Sequence, residues 1–187
     1  MDERTENEPN SLDFTSHGLQ CALRRGPMGA WCGYVAIGAE HPLFRVDYSE
    51  PHECLAPLWR KRQGEPVGNA GIIPLICCQG EPRMDVALAV HGGVTYAEDH
   101  CPLDEPDGQW WIGFDCNHAG DYAPGLPSIG EVYRTIHYAR GECEAMAGQL
   151  AKLASEERKS DVHGDTKTEG NEGPAQIQPG AASEGEG

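Results

Sequence analysis

Apolar and polar positions along the chain alternate in several short runs, and in one long stretch they recur at helical spacing. Trp31 to Ile37 reads W-C-G-Y-V-A-I, aromatic and β-branched between Gly29 and Gly38, which predicts a strand. Leu43 to Tyr48 alternates after the His41-Pro42 turn and predicts a second strand, hairpin-paired with the first. Residues 14–30, with Arg24-Arg25-Gly26-Pro27, read as an ordered approach to these strands. Ser49 reads as the cap of a short helix through Cys54, limited by Pro57. Ile72 to Cys78 is apolar throughout, and Pro74 makes it an edge strand or an irregular buried segment. Val86, Leu88 and Val90 alternate with Ala87 and Ala89, a strand pattern with both faces covered. Gly92-Gly93 interrupts it before Val94-Thr95-Tyr96 resumes, and Trp110 to Phe114 follows as its partner. An antiparallel fold about residues 102–103 would set His91 opposite Phe114 and beside Asp115.

The helical signal lies further on. Ser128 and Glu131 have the S-x-x-E spacing of a capping box. Val132, Ile136, Ala139, Cys143, Met146, Leu150 and Leu153 then form one stripe with spacings of 4 and 3 in alternation. Gly141 and Gly148 weaken that helix by roughly 1 kcal/mol each relative to alanine. The stripe predicts packing on the sheet. Its alternative use is a homodimer seam through residues 129–153, which three heptads with small residues support only marginally. Together these elements predict an α+β fold: a mostly antiparallel sheet with a long C-terminal helix packed on one face.

Composition changes this picture mainly at the ends. Of the net charge of −16, residues 1–13 contribute −4 and residues 154–187 contribute −5. Both segments lack residues to bury, so they read as acidic disordered tails around a single domain at 14–153. An acidic chain repels phosphate backbones, which argues against general nucleic-acid binding. The short cluster Trp59-Arg60-Lys61-Arg62 reads as a solvated face. The first residues are polar rather than basic then apolar, and no run approaches the roughly 20 apolar residues of a membrane span. The eight cysteines form no C-x-x-C pair, so a reduced, cytoplasmic protein without a disulfide framework is expected.

Candidate chemistry collects at the ends of the two central runs. His91 and Gly92-Gly93 follow the first, with Thr95 just beyond. Asp115, Cys116, His118 and Asp121 follow the second in D-C-N-H-A-G-D. Four uses of this cluster stay open. His91, Asp115, His118 and Asp121 suit a divalent metal that activates water for hydrolysis. Cys116 suits a nucleophile with His91 or His118 as base. The same groups, with Gly92, Gly93 and Thr95, suit a polar ligand held without turnover, the glycines letting backbone N–H groups approach it. A polar turn, with Asp115 capping backbone amides, is the plain structural alternative. Cys101, His100, Cys116 and His118 form a weaker zinc candidate whose spacing matches no strong pattern.

The motifs H-G-G-V-T-Y at His91–Tyr96, W-W-I-G-F-D-C-N-H-A-G-D at Trp110–Asp121 and Y-R-x-x-x-Y-A-x-x-E-C-E at Tyr133–Glu144 resemble a family of small proteins encoded by bacteriophages and prophages. The likeness extends to Gly33–Val35 and His41-Pro42 and covers roughly residues 31–153. Asn117 departs from it, standing where alanine is usual. The resemblance implies a context rather than a mechanism: an accessory protein in the cytoplasm of a bacterial host. Two function classes follow. One is capture of a small polar, nucleotide-like ligand or of a host defence factor. The other is a small metal-dependent hydrolase using His91, Asp115, His118 and Asp121.

Overall fold

The computed structural model describes residues 7–63, 80–126 and 131–164, with side chains to residue 157 in the last segment. Three strands open the chain: β1 Ser11–Ser16, β2 Leu19–Arg25 and β3 Trp31–Ile37. A 3-10 turn at Glu53–Leu55 leads into α1, Ala56–Gln63, and a single helical turn, α2, spans Met84–Ala87. Two further strands, β4 Tyr96–Glu98 and β5 Trp110–Asp115, precede the long helix α3, Ile136–Gly164. The strands form one sheet in the order β1-β2-β3-β5-β4, every neighbour antiparallel. The α+β architecture predicted from the hydrophobic pattern is therefore the observed one.

Strand alternation decides which residues meet the helix. Cys21 and Leu23, Trp31, Val35 and Ile37, and Ile112 and Phe114 share one face and pack with Ala139, Cys143, Met146, Leu150 and Leu153 of α3. Ala22, Tyr34, Ala36 and Trp111 share the opposite face with Cys101. The helical stripe is thus consumed within the chain. The β3–β5 register rests on two reciprocal glycine–aromatic pairs. Gly33 opposes Phe114 and Gly113 opposes Tyr34. A Cβ on Gly33 would lie 2.4 Å from the Phe114 ring, and one on Gly113 would lie 2.4 Å from Tyr34. Each ring therefore lies over a bare backbone, which no other residue permits.

Several expectations are corrected. The sheet begins at Ser11, inside the segment expected as a tail, and residues 14–30 hold a β-hairpin rather than an approach. His17 and Gly18 join its strands with φ of 52° and 79°, the doubly left-handed turn that fits the strand twist. Leu43–Tyr48 is not a strand. It turns repeatedly, with Phe44 N–H on His41 O and Val46 N–H on Leu43 O, because β5 already pairs with the free side of β3. Val86–Val90 is not a strand either. Met84 to Leu88 are buried on all sides, and an apolar run of that kind closes a helical turn as readily as a strand. β4 pairs with β5 as an antiparallel hairpin, but Tyr96 opposes Gly113, where a fold about 102–103 would have put Gly92.

The helix ends also moved. α3 starts at Ile136, so Glu131 lies outside it and Val132 is exposed. Thr135 Oγ1 accepts from Tyr138 N–H, and the Glu8 carboxylate accepts from Ile136 N–H. Thr135 thus caps locally, and a residue 128 positions away adds a second acceptor. The short helix near Ser49 begins instead after His52, whose ring accepts the Cys54 N–H. Pro57 does not limit it. It is the second residue of α1, where a missing N–H costs nothing. α3 also runs past residue 153 to Gly164. Ile72–Cys78 and Ser128 lie outside the described residues. No helix among the described residues is long and apolar enough to cross a membrane.

Candidate functional site

Three segments meet at the end of the sheet where β5 leaves it. The first is the loop after α2. Gln149 of α3 grips it by both backbone groups of Ala89, accepting from its N–H at 2.8 Å and donating to its carbonyl at 2.9 Å. Glu142, two turns up the same helix, accepts the His91 N–H at 2.8 Å. The second segment continues β5: Cys116 N–H reaches Trp31 O, and Asp121 closes a turn back to His118. The third is the approach to α3, where Val132 bridges Gly120 and Tyr122 and so brings Arg134 alongside Asp121.

Asp121 is the hub. Its side chain is 2% exposed and accepts from Arg134 Nε at 2.8 Å, from His118 N–H at 3.0 Å and from His91 Nε2 at 2.7 Å. Burial alone would raise its carboxyl, but the bonds from Arg134, His91 and the His118 amide outweigh burial and hold it below its ordinary range. Because an ionised carboxylate only accepts, His91 carries its proton on Nε2. Nδ1 is left to accept from the Tyr138 hydroxyl at 3.0 Å. The Arg134 guanidinium lies 4.7 Å over the Tyr138 ring, which closes the circuit Asp121–His91–Tyr138–Arg134. Asp121 raises the Arg134 pKa further, while burial, then Glu142, raises that of Tyr138.

His118 is arranged differently. Its ring lies across Gly92, so close that a Cβ there would be 2.0 Å from His118 Cε1. Gly92 and Gly93 take φ of 69° and 92°, and a Cβ on Gly93 would meet the Asp85 carbonyl at 2.7 Å, so both glycines serve close approach. His118 Nδ1 is buried and has no hydrogen-bond partner. It faces Asp115 Oδ1 at 3.7 Å and Asp121 Oδ2 at 3.9 Å. Asp115 accepts from Asn117 N–H at 3.0 Å and from the Thr95 hydroxyl at 3.0 Å. The amide bond is the capping role expected of a polar turn, but that turn also carries the unpaired imidazole nitrogen.

All eight singled-out residues thus belong to one neighbourhood, though not by the expected register. His91 arrives through its loop and the polar edge of α3, not by strand pairing. Cys116 is 2% exposed, and burial with Asp121 nearby drives its thiol pKa upward, away from the thiolate a nucleophile needs. The Cys101–His100–Cys116–His118 zinc set is not assembled. Cys101 packs on the opposite sheet face, its pKa pushed up to about 12 by burial, and His100 pairs with Asp99. Arg134, Tyr138, Glu142 and Gln149 were missed. Tyr138 and Glu142 stand one helical turn apart, outside the apolar stripe, and Arg134 precedes Tyr138 by the same spacing. That polar i, i+4 series was the signal available.

Among the described residues, His91, His118 and Asp121 are the one group whose ligand atoms all lie within 4.8 Å of one another. Comparison with family models, with curated proteins and with solved structures finds no match to this chain.

Proposed function

We propose that this chain is a phage- or prophage-type accessory protein that binds a small polar, nucleotide-like ligand through the face built from His118, Asp115 and Thr95. The buried, unpartnered His118 Nδ1 carries the reading. A nitrogen shut from water without a partner costs free energy, and a ligand that satisfies it recovers that cost. The surroundings favour binding over self-contained catalysis. His91 has both ring nitrogens engaged, the Cys116 thiol is buried with its pKa pushed upward by that burial, and Asp121 accepts three hydrogen bonds. Such a network holds its neighbours still, which is what a binding face needs. The side chains of His118 and Asp115 are each 31% exposed, so the face opens to solvent although Nδ1 itself is covered.

The test is capture. Protein incubated with a bacterial nucleotide extract, washed and heat-denatured is expected to release one molecule in near-stoichiometric amount, and His118→Ala to release less than a tenth as much. Equal release from both proteins, or none from either, would overturn the assignment. Metal-dependent hydrolysis is the second reading, favoured by the proximity of His91, His118 and Asp121. It predicts that the released molecule is a cleavage product rather than the intact compound.

A further inference from the structure

His118 Nδ1 points at two carboxylates and bonds to neither. Its distances of 3.7 and 3.9 Å to Asp115 and Asp121 are too long for hydrogen bonds even if the ring is protonated. We infer that His91 Nε2, His118 Nδ1 and Asp121 Oδ2 hold one divalent transition-metal ion, with a further coordination position open toward Asp115. This deepens the assignment of the cluster as a binding site and rests on it, the ion satisfying Nδ1 and the polar ligand reaching it through the ion's open position.

The spacing suits such an ion. Zinc-like ions bind imidazole nitrogen and carboxylate oxygen at about 2.0–2.2 Å, which sets tetrahedral ligand atoms roughly 3.3 Å apart. The His91–Asp121 separation of 2.7 Å and the His118–Asp121 separation of 3.9 Å lie on either side of that value. Metal binding would lengthen the first and shorten the second by about 0.6 Å each. Proton placement also works. For His91 to offer Nε2 to a cation, its proton must move to Nδ1, and Tyr138 Oη already stands 3.0 Å from Nδ1 to accept it. A hydrogen-bonded second nitrogen is the usual support of a metal-bound histidine. Arg134 engages Oδ1 of Asp121, and Oδ2, while keeping the His118 amide, would exchange its bond from His91 for the ion. Asp115, Asp121 and Glu142 surround the site against the single guanidinium of Arg134, so a dication meets a net negative environment. Asp115 Oδ1, 3.7 Å from His118 Nδ1, faces the open position, where it would orient a bound water or a polar ligand group.

The test uses full-length, tag-free protein stripped with chelator and titrated with cobalt(II), then displaced with zinc. One equivalent is expected, with a visible absorption band that zinc abolishes. His118→Ala should bind at least tenfold more weakly, and His137→Ala, exposed on α3, should bind like wild type. Far-ultraviolet circular dichroism checks that each variant folds, and His118→Gln repeats the measurement if His118→Ala does not. Absence of a band, or equal binding by the His118 variants, would overturn the metal centre. Ligand capture is scored in the same preparations with and without chelator. Capture that survives chelation in a protein without a cobalt band sinks the metal and leaves the ligand site standing. One bound equivalent with no captured molecule does the reverse.

Discussion

Asp121 shows how much a single buried carboxylate organises. It neutralises Arg134, orients His91 and ties the His118 amide, so the positions of three side chains depend on its charge. Asp121→Asn removes that charge but keeps the volume, leaving Arg134 facing a neutral amide. Breaking one partner of such a pair typically costs about 3–5 kcal/mol, and urea unfolding at neutral pH should show a loss of that order. The pH dependence has a definite sign. The Asp121 carboxyl is held lower in the folded chain than in the unfolded one, so in acid the unfolded chain binds the extra proton. Its contribution is full above the unfolded value, near 3.9, and fades as pH falls through the lower folded value. The gap between wild type and Asp121→Asn should therefore close over that acidic window. A gap independent of pH would show that the carboxylate charge is not what matters.

At the scale of elements, the long helix is anchored from outside its own sequence. Glu8 accepts from Trp31 Nε1 at 2.9 Å, from Arg25 at 2.8 Å, from the Tyr133 hydroxyl and from the first N–H of α3. A carboxylate at that position also answers the positive end of the helix dipole. Burial opposes its ionisation, yet the bonds from Tyr133, Ile136 and Trp31, with Arg25, prevail and lower its pKa. Glu8→Ala strips four donors of their acceptor, and a loss of roughly 1–3 kcal/mol is expected, read as a lower thermal midpoint. Deleting residues 1–10 should lower the midpoint by a similar amount. An unchanged midpoint in both would mean that the N-terminal segment is dispensable. Acidic residues that read as a solvated tail include, at Glu8, an acceptor for the first N–H of α3, beside the local cap from Thr135. The capping box is a local pattern of four residues, whereas the Glu8 bond is made across the fold.

At the scale of the molecule, the apolar stripe of α3 lies on the sheet and is not offered to a second copy. Ala139, Cys143, Met146 and Leu150 are fully buried within one chain. Met146→Asp would place an unpaired carboxyl in that core, a change that costs several kcal/mol. The expected outcome is loss of the folded circular-dichroism spectrum, with sedimentation showing no protein-concentration-dependent dimer of wild type lost in the variant. A folded, monomeric Met146→Asp derived from a dimeric parent would instead place the stripe at an interface.

Some of this was legible in the chain alone, for a physical reason. β3, β5 and the body of α3 are written in local periodicities of two and 3.6 residues, and burial of one face enforces those periods wherever the element packs. The cluster Asp115–Asp121 was legible too, because seven consecutive residues cannot be far apart. What tertiary structure alone decided were the choices between equivalent local readings and the long-range partners. Met84–Leu88 became a helical turn because it is enclosed on every side. β5 took its register on β3 from Tyr34 and Phe114 lying over glycines. His91 met Asp121 across 30 positions, and Glu8 met Tyr133 across 125. Hydrogen bonds of that reach have no period to leave in a sequence. They exist only once packing has brought their donors and acceptors to one place.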